Sequence, residues 1–174
     1  KHFNVNVYSP LPNQFITVFT DITVEKKALE KIKKEKKILE TILEDARSGY
    51  WDWNLMNSTE YLSPSFKTML GYKDNELENS PESWQRIIYK EDLSAVLERL
   101  EKHFASKGEV PYYNEVRYHH KNGSTVWVIC SGRVIEWEGD KPLRMVGCHI
   151  NITKTKELEN TINNERILFK TTLH

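Results

Sequence analysis

Three alternating stretches, residues 111–120, 125–136 and 142–151, are separated only by turn residues, and they commit the second half of the chain to an antiparallel meander. Asn122-Gly123 lies between the first two, the dipeptide of a tight hairpin whose two central positions both need positive φ. Glu138-Gly139-Asp140-Lys141 joins the second to the third. A hairpin symmetric about Gly139 would set Cys130 directly opposite Cys148, with Cα atoms roughly 4.5–5.5 Å apart and within reach of a disulfide. Two reduced thiols packed together are the other reading of that pair.

Two shorter strands precede the meander, Tyr50–Leu55 and Thr59–Leu62, with Met56-Asn57-Ser58 as the turn between them. Ser63-Pro64 then supplies an N-cap and a first-turn proline for a short helix that Gly71 closes. Pro81–Tyr89 reads as a second short helix. Leu93, Val96, Leu97, Leu100 and Phe104 form the apolar face of a longer one over Lys90–Ala105. Strands at both ends with helices between predict an α+β fold, one five-stranded antiparallel sheet with its helices on one face.

Upstream, Phe3–Tyr8 and Phe15–Phe19 alternate around a proline-containing gap, Ser9–Asn13, and read as strand, loop, strand. Two strands alone are marginal in water. They read as the tail of a sheet whose other strands lie before Lys1. Residues 24–45 contain no Gly or Pro and predict a helix with i,i+4 pairs such as Lys31 with Glu35 and Lys36 with Glu40. Its narrow stripe of Leu29, Ile32, Leu39 and Leu43 suits a dimer seam; a solvated connector is the alternative.

Charge excludes several classes of function. Twenty-five basic and 25 acidic side chains cancel, so the chain lacks the field that non-specific nucleic-acid binding needs. No apolar run is long enough to insert into a membrane. Cys130 and Cys148 belong to no metal-ligand cluster, and no nucleophile, general base or phosphate-cradling loop is assembled. No metal site and no intrinsic enzyme are expected.

Sliding the chain on itself by 130 residues lays Asp21-Ile22-Thr23 on Asn151-Ile152-Thr153, followed by identities at Lys26, Ile32, Glu35, Thr41 and Leu43. In both copies a strand runs through the triplet into a helix. Over about 105 residues further features appear in order: Trp51-Asp52-Trp53, Ser63-Pro64, Met69-Leu70-Gly71-Tyr72, Trp84, Glu91-Asp92, His120-Lys121-Asn122-Gly123, Trp127, Gly132-Arg133, Gly139, Arg144-Met145-Val146-Gly147 and Asn151-Ile152-Thr153. These resemble a PAS domain that carries the PAC motif, and Asp21-Ile22-Thr23 resembles the closing triplet of a preceding one. The family usually closes on Asp-Ile-Thr, and Asn151 departs from it. Tyr89 stands where the family often has His.

The resemblance implies four segments: residues 1–23 as the terminal hairpin of a preceding PAS domain, 24–47 as a connecting signalling helix, 48–153 as a complete PAS domain, and 154–174 as an exit helix toward a further module. It also implies a sensory or relay module of a cytoplasmic bacterial signalling protein, such as a sensor histidine kinase or a diguanylate cyclase. That module would pass a ligand- or partner-induced change to the exit helix. The expected junction residues are Asp21, Ile22, Thr23, Asn151, Ile152 and Thr153. Expected partners are a second copy and adjoining PAS and effector domains.

Trp51, Trp53, Phe66, Met69, Leu97, Leu100 and Trp127 are candidates to line a cavity for a small-molecule ligand, unless they fill the core completely, which would make the domain a ligand-free interaction and dimerisation module. No cofactor is the leading expectation. Flavin-adduct and hydroxycinnamoyl chromophores are disfavoured because both cysteines fall in strands. Haem would need a ligand such as His103, read as a half-exposed side chain on the long helix.

Overall fold

The computed structural model describes residues 1–46 and 48–172. Arg47, the last residue expected in the connecting helix, and Leu173 and His174, the last expected in the exit helix, lie outside the described residues. The chain divides into two compact units between Ile42 and Leu43.

In the first unit, β1 (Phe3–Leu11) pairs antiparallel with β2 (Gln14–Asp21), and α1 (Thr23–Asp45) follows, its last turn running past the boundary into the second unit. The expected gap at Ser9–Asn13 shrinks to a two-residue turn at Pro12-Asn13, where Asn13 takes φ 61. A register shift between Tyr8 and Leu11 carries the strand past Pro10, whose nitrogen has no proton to give the ladder. The Ser9 hydroxyl donates to the Gln14 carbonyl at 2.9 Å across the hairpin end. On α1, Lys31 and Glu35 approach to 3.8 Å and Lys36 and Glu40 to 3.7 Å. Leu29, Ile32 and Leu39 are exposed, and Leu43 is half-buried.

The second unit begins with β3 (Ser48–Asn54) and β4 (Thr59–Leu62), then α2 (Pro64–Met69), a single 3-10 turn at Asp74–Glu76, α3 (Pro81–Ile87) and α4 (Lys90–Ala105). It continues through β5 (Tyr112–His119), β6 (Thr125–Glu138), β7 (Lys141–Asn151) and α5 (Thr153–Thr172). The five strands form one antiparallel sheet in the order β4-β3-β7-β6-β5. Trp51, Val116, Tyr118, Val126, Val128 and Met145 point from it into a single core with Phe66 of α2, Trp84 of α3, and Val96 and Leu100 of α4. The Ser63 hydroxyl caps α2 by accepting from Phe66 N–H at 3.3 Å and also accepts from Tyr50 N–H at 2.9 Å, so one side chain ties the helix start to β3.

Both hairpins depart from their expected geometry. At Asn122-Gly123 only Gly123 has positive φ, 88°, and the connection is longer than two residues: His120 N–H donates to Ser124 O, and Gly123 N–H donates to His120 O. That is a reverse turn followed by a left-handed glycine. In the second hairpin Glu138 opposes Lys141, so the turn is the pair Gly139-Asp140 with Gly139 at φ 60. A two-residue turn shifts the register by one relative to a turn centred on Gly139. Cys130 therefore faces His149 and Ser131 faces Cys148. Neighbouring positions on a strand point to opposite faces, so the expected cysteine pairing fails: Cys130 enters the core and Cys148 lies on the other face of the sheet.

Candidate functional site: the core cavity and the strand–helix junction

The helices and the inner face of the sheet enclose a cavity of about 20 Å³, enough for one water molecule. Its walls are largely aromatic. Trp51 lies across β6 and β7 where both present glycine: a Cβ on Gly132 would stand 2.6 Å from Trp51 Cζ2, and one on Gly147 would collide with the same ring. The sheet thus offers a flat floor for the indole. Trp53, Trp84, Tyr112 and Tyr118 add further ring surface, and Leu100 and Val96 close the side toward α4.

The polar groups in this wall are unusual for a core. Glu60 is 4 % exposed, and its Oε2 accepts from Trp84 Nε1–H at 2.8 Å. Burial raises its carboxyl to about 7, against the opposing effect of the Trp84 hydrogen bond. Burial likewise pushes His149 down to about 3, so that its ring, stacked on Phe66 with centroids 4.3 Å apart, is neutral. Burial pushes the Cys130 thiol up to about 12 and leaves it unreactive. The indole Nε1 atoms of Trp51 and Trp53 and the Nδ1 of His149 are buried without a hydrogen-bond partner among the described residues.

The cavity gathers only part of the expected lining. Trp51, Trp53 and Leu100 border it. Phe66 is fully buried but fills the neighbouring core, and Met69 faces an outer groove between α2 and the start of α5. Leu97 is 40 % exposed, because the helix turns Val96 and Leu100 inward and leaves Leu97 at the edge of that face. Trp127 belongs to the opposite sheet face: Val126, Val128 and Cys130 point inward on β6, so the residue between the first two points out. Glu60 lines the cavity and is not among the residues expected there. Its signal was alternation, since a strand that buries Leu62 must also turn Glu60 inward.

A flavin or a porphyrin does not fit a space of about 20 Å³ among these side chains. His103 is not half-exposed as expected: it is buried, its Nδ1 lies 2.6 Å from Val110 O, and its Nε2 accepts from Val134 N–H at 3.2 Å. The Nε2 lone pair is taken by a backbone donor, and Nδ1–H then donates to the carbonyl. His103 is a tie between α4, β6 and the segment entering β5, with no lone pair left for iron.

The strand–helix junction is built the same way twice. Asn151 Oδ1 accepts from Thr153 N–H at 2.9 Å, and Asp21 Oδ1 accepts from Thr23 N–H at 2.9 Å. Ile152 N–H donates to Trp127 O at 2.9 Å, and Ile22 N–H donates to His2 O at 2.9 Å. Thr153 Oγ1 accepts from Trp127 N–H at 3.0 Å, and Thr23 Oγ1 accepts from His2 N–H at 2.7 Å. The departure from Asp to Asn therefore costs no hydrogen bond, because the contact needs only an acceptor oxygen two residues before the threonine. Trp127, expected in the cavity, instead anchors the junction. The Lys156 ammonium lies 5.5 Å from its ring and pairs with Glu115 at 2.8 Å, holding the first turn of α5 against β5 and β6.

The family model described as PAS fold matches residues 59–149. No curated protein sequence matches the chain. Among solved structures, a sensory box histidine kinase/response regulator from Burkholderia thailandensis is similar at 28 % identity, with a TM-score of 0.65 over 76 % of this chain and 98 % of that one. The N-terminal domain of a diguanylate cyclase with PAS/PAC sensor from Marinobacter aquaeolei is similar at 21 % identity, TM-score 0.54, covering 63 % of this chain and 98 % of that one. A light-oxygen-voltage domain studied with a flavin analogue shares the fold at 18 % identity, TM-score 0.51, covering 74 % of this chain and 94 % of that one. The five-stranded sheet, the helices packed on its inner face and the matched residues place this chain in the PAS-fold family.

Proposed function

We propose that residues 48–153 form a sensory and relay module of a cytoplasmic signalling protein, passing a change in the cavity or at a bound partner through Asn151-Ile152-Thr153 to α5. The duplicated junction is the observation that carries this reading. A strand that enters a helix through Ile152, whose N–H and C=O are both hydrogen-bonded, and that is pinned by both polar groups of the Trp127 backbone, leaves no joint to absorb a displacement of β7. Residues 1–23 fit the end of a preceding module and α1 the connector between modules. Similarity to a histidine kinase and a diguanylate cyclase domain supports an effector of one of those kinds in the same protein.

The experiment is hydrogen exchange on the whole chain, comparing it with Thr153→Val. The substitution removes the acceptor for Trp127 N–H, and exchange should speed up at Trp127 and in the first turn of α5. Protection unchanged at both places would remove the junction from the mechanism.

A second reading, a ligand-free interaction and dimerisation module, is favoured by the size of the cavity, which admits no more than water. Native mass spectrometry of the purified chain separates the two. Excess mass at a fixed stoichiometry supports a small-molecule input, and bare chain mass supports the interaction module.

A further inference from the structure

Among the described residues no cation pairs with the Glu60 carboxylate; Arg144, which borders the same outer groove, is held by Asp52 and Glu136. From β3 Glu60 is faced by Trp53, its direct partner across the ladder; Asp52, the preceding residue and so on the other face of the sheet, pairs with Arg144 at 2.6 Å. From α3 it meets Trp84, and Glu82 adds a second negative charge. Across the cavity stand Tyr112 and Tyr118 of β5, Cys130 of β6 and the neutral His149 of β7, while α4 contributes only Val96 and Leu100. Among the described residues, a carboxylate so placed is stabilised by one indole hydrogen bond and by no ion pair.

The same cavity holds donors in search of an acceptor. Among the described residues the Trp53 Nε1–H is buried without a hydrogen-bond partner and the Trp51 Nε1–H has no acceptor better than the Cys130 sulfur, and the space they border takes one water. Such a water can accept from an indole and donate to the carboxylate. Glu60 also borders an outer groove lined by Asn54, Thr59, Asn79 and Arg144, which gives a proton and a water a short way to solvent at the edge strand.

We propose that the cavity is a proton-binding site, in which Glu60 takes up a proton from solvent and, on releasing it, binds one water held by the Trp51 and Trp53 indoles. Burial supports this by bringing the carboxyl to about 7, where a modest change of pH alters its charge. The site stands on the cavity alone; only its consequence for α5 rests on the relay reading above.

The test is a carboxyl-carbon NMR titration of the full chain, followed together with the indole N–H signals. Glu60 should titrate with a midpoint near pH 7 rather than near its ordinary 4.5, and the indole signals of Trp84, Trp51 and Trp53 should move with the same midpoint. In Glu60→Gln that indole titration should vanish. A Glu60 midpoint near 4.5, or indole signals that stay still between about pH 5 and 9, overturns the proposal. The wild-type titration decides the matter even if Glu60→Gln does not fold. The amide signals of Ile152 and Thr153 read the relay separately: Glu60 titrating near 7 with those signals unmoved supports the proton site and removes it as an input to the relay.

Discussion

At the residue scale, Glu60 and His149 pull the stability of the domain in opposite directions with pH. The Glu60 carboxyl loses its proton near 4.5 in the unfolded chain and near 7 in the folded one, so stability present below 4.5 is lost as pH rises to 7, by up to about 3 kcal/mol. His149 gains its proton near 6.5 when unfolded and only near 3 when folded, so stability present above 6.5 is lost as pH falls. Between 4.5 and 6.5 the unfolded chain has exchanged one proton for another, and the two effects cancel. Glu60→Gln should unmask His149. Unfolding free energies of that variant from urea titrations should then climb from pH 5 to 6.5 by about 1.4 kcal/mol per pH unit more than those of the unsubstituted chain. Parallel profiles for the two proteins would show that Glu60 is not buried as an acid. His103 makes a second case. His103→Leu keeps the apolar bulk but strands Val134 N–H and Val110 C=O, and should cost about 2–4 kcal/mol in the same assay.

At the element scale, hairpin register decides the fate of the cysteines. Cys130 and Cys148 on opposite sheet faces cannot join within one chain, so mild oxidant should leave the monomer free of an internal disulfide, as intact mass will read. A thiol probe should label the half-buried Cys148 first and Cys130 only on unfolding. The elements themselves were written plainly in the sequence: Ser63-Pro64 starts α2, and alternation marks β5, β6 and β7. What alternation does not encode is the number of residues in a turn. A loop of two or three residues around Gly139 leaves each strand looking the same and moves every partner by one, and that single ambiguity misplaced the cysteine pair. The lining of the cavity was legible where one strand or helix face settled it, as for Trp51, Trp53 and Leu100. Trp127 lies on the other face, which Val126 and Val128 on either side of it assign.

At the scale of the whole molecule, α1 carries Leu29, Ile32 and Leu39 with their side chains exposed and Leu43 half-buried, spaced for a parallel two-helix seam with Lys36 at the one interrupting position. Light scattering at micromolar concentration should give a dimer mass for the chain and a monomer mass for Leu29→Glu combined with Leu39→Glu. Equal masses would leave α1 as a solvated connector. Among the described residues no helix is long and apolar enough to cross a membrane.

The duplicated junction has one more consequence. The residues it clamps are 21 apart in the first copy, His2 to Thr23, and 26 apart in the second, Trp127 to Thr153, yet the contacts are the same. The arm between them can lengthen, shorten or change its tip while these hydrogen bonds stay the same, because the clamp closes below all of that variation.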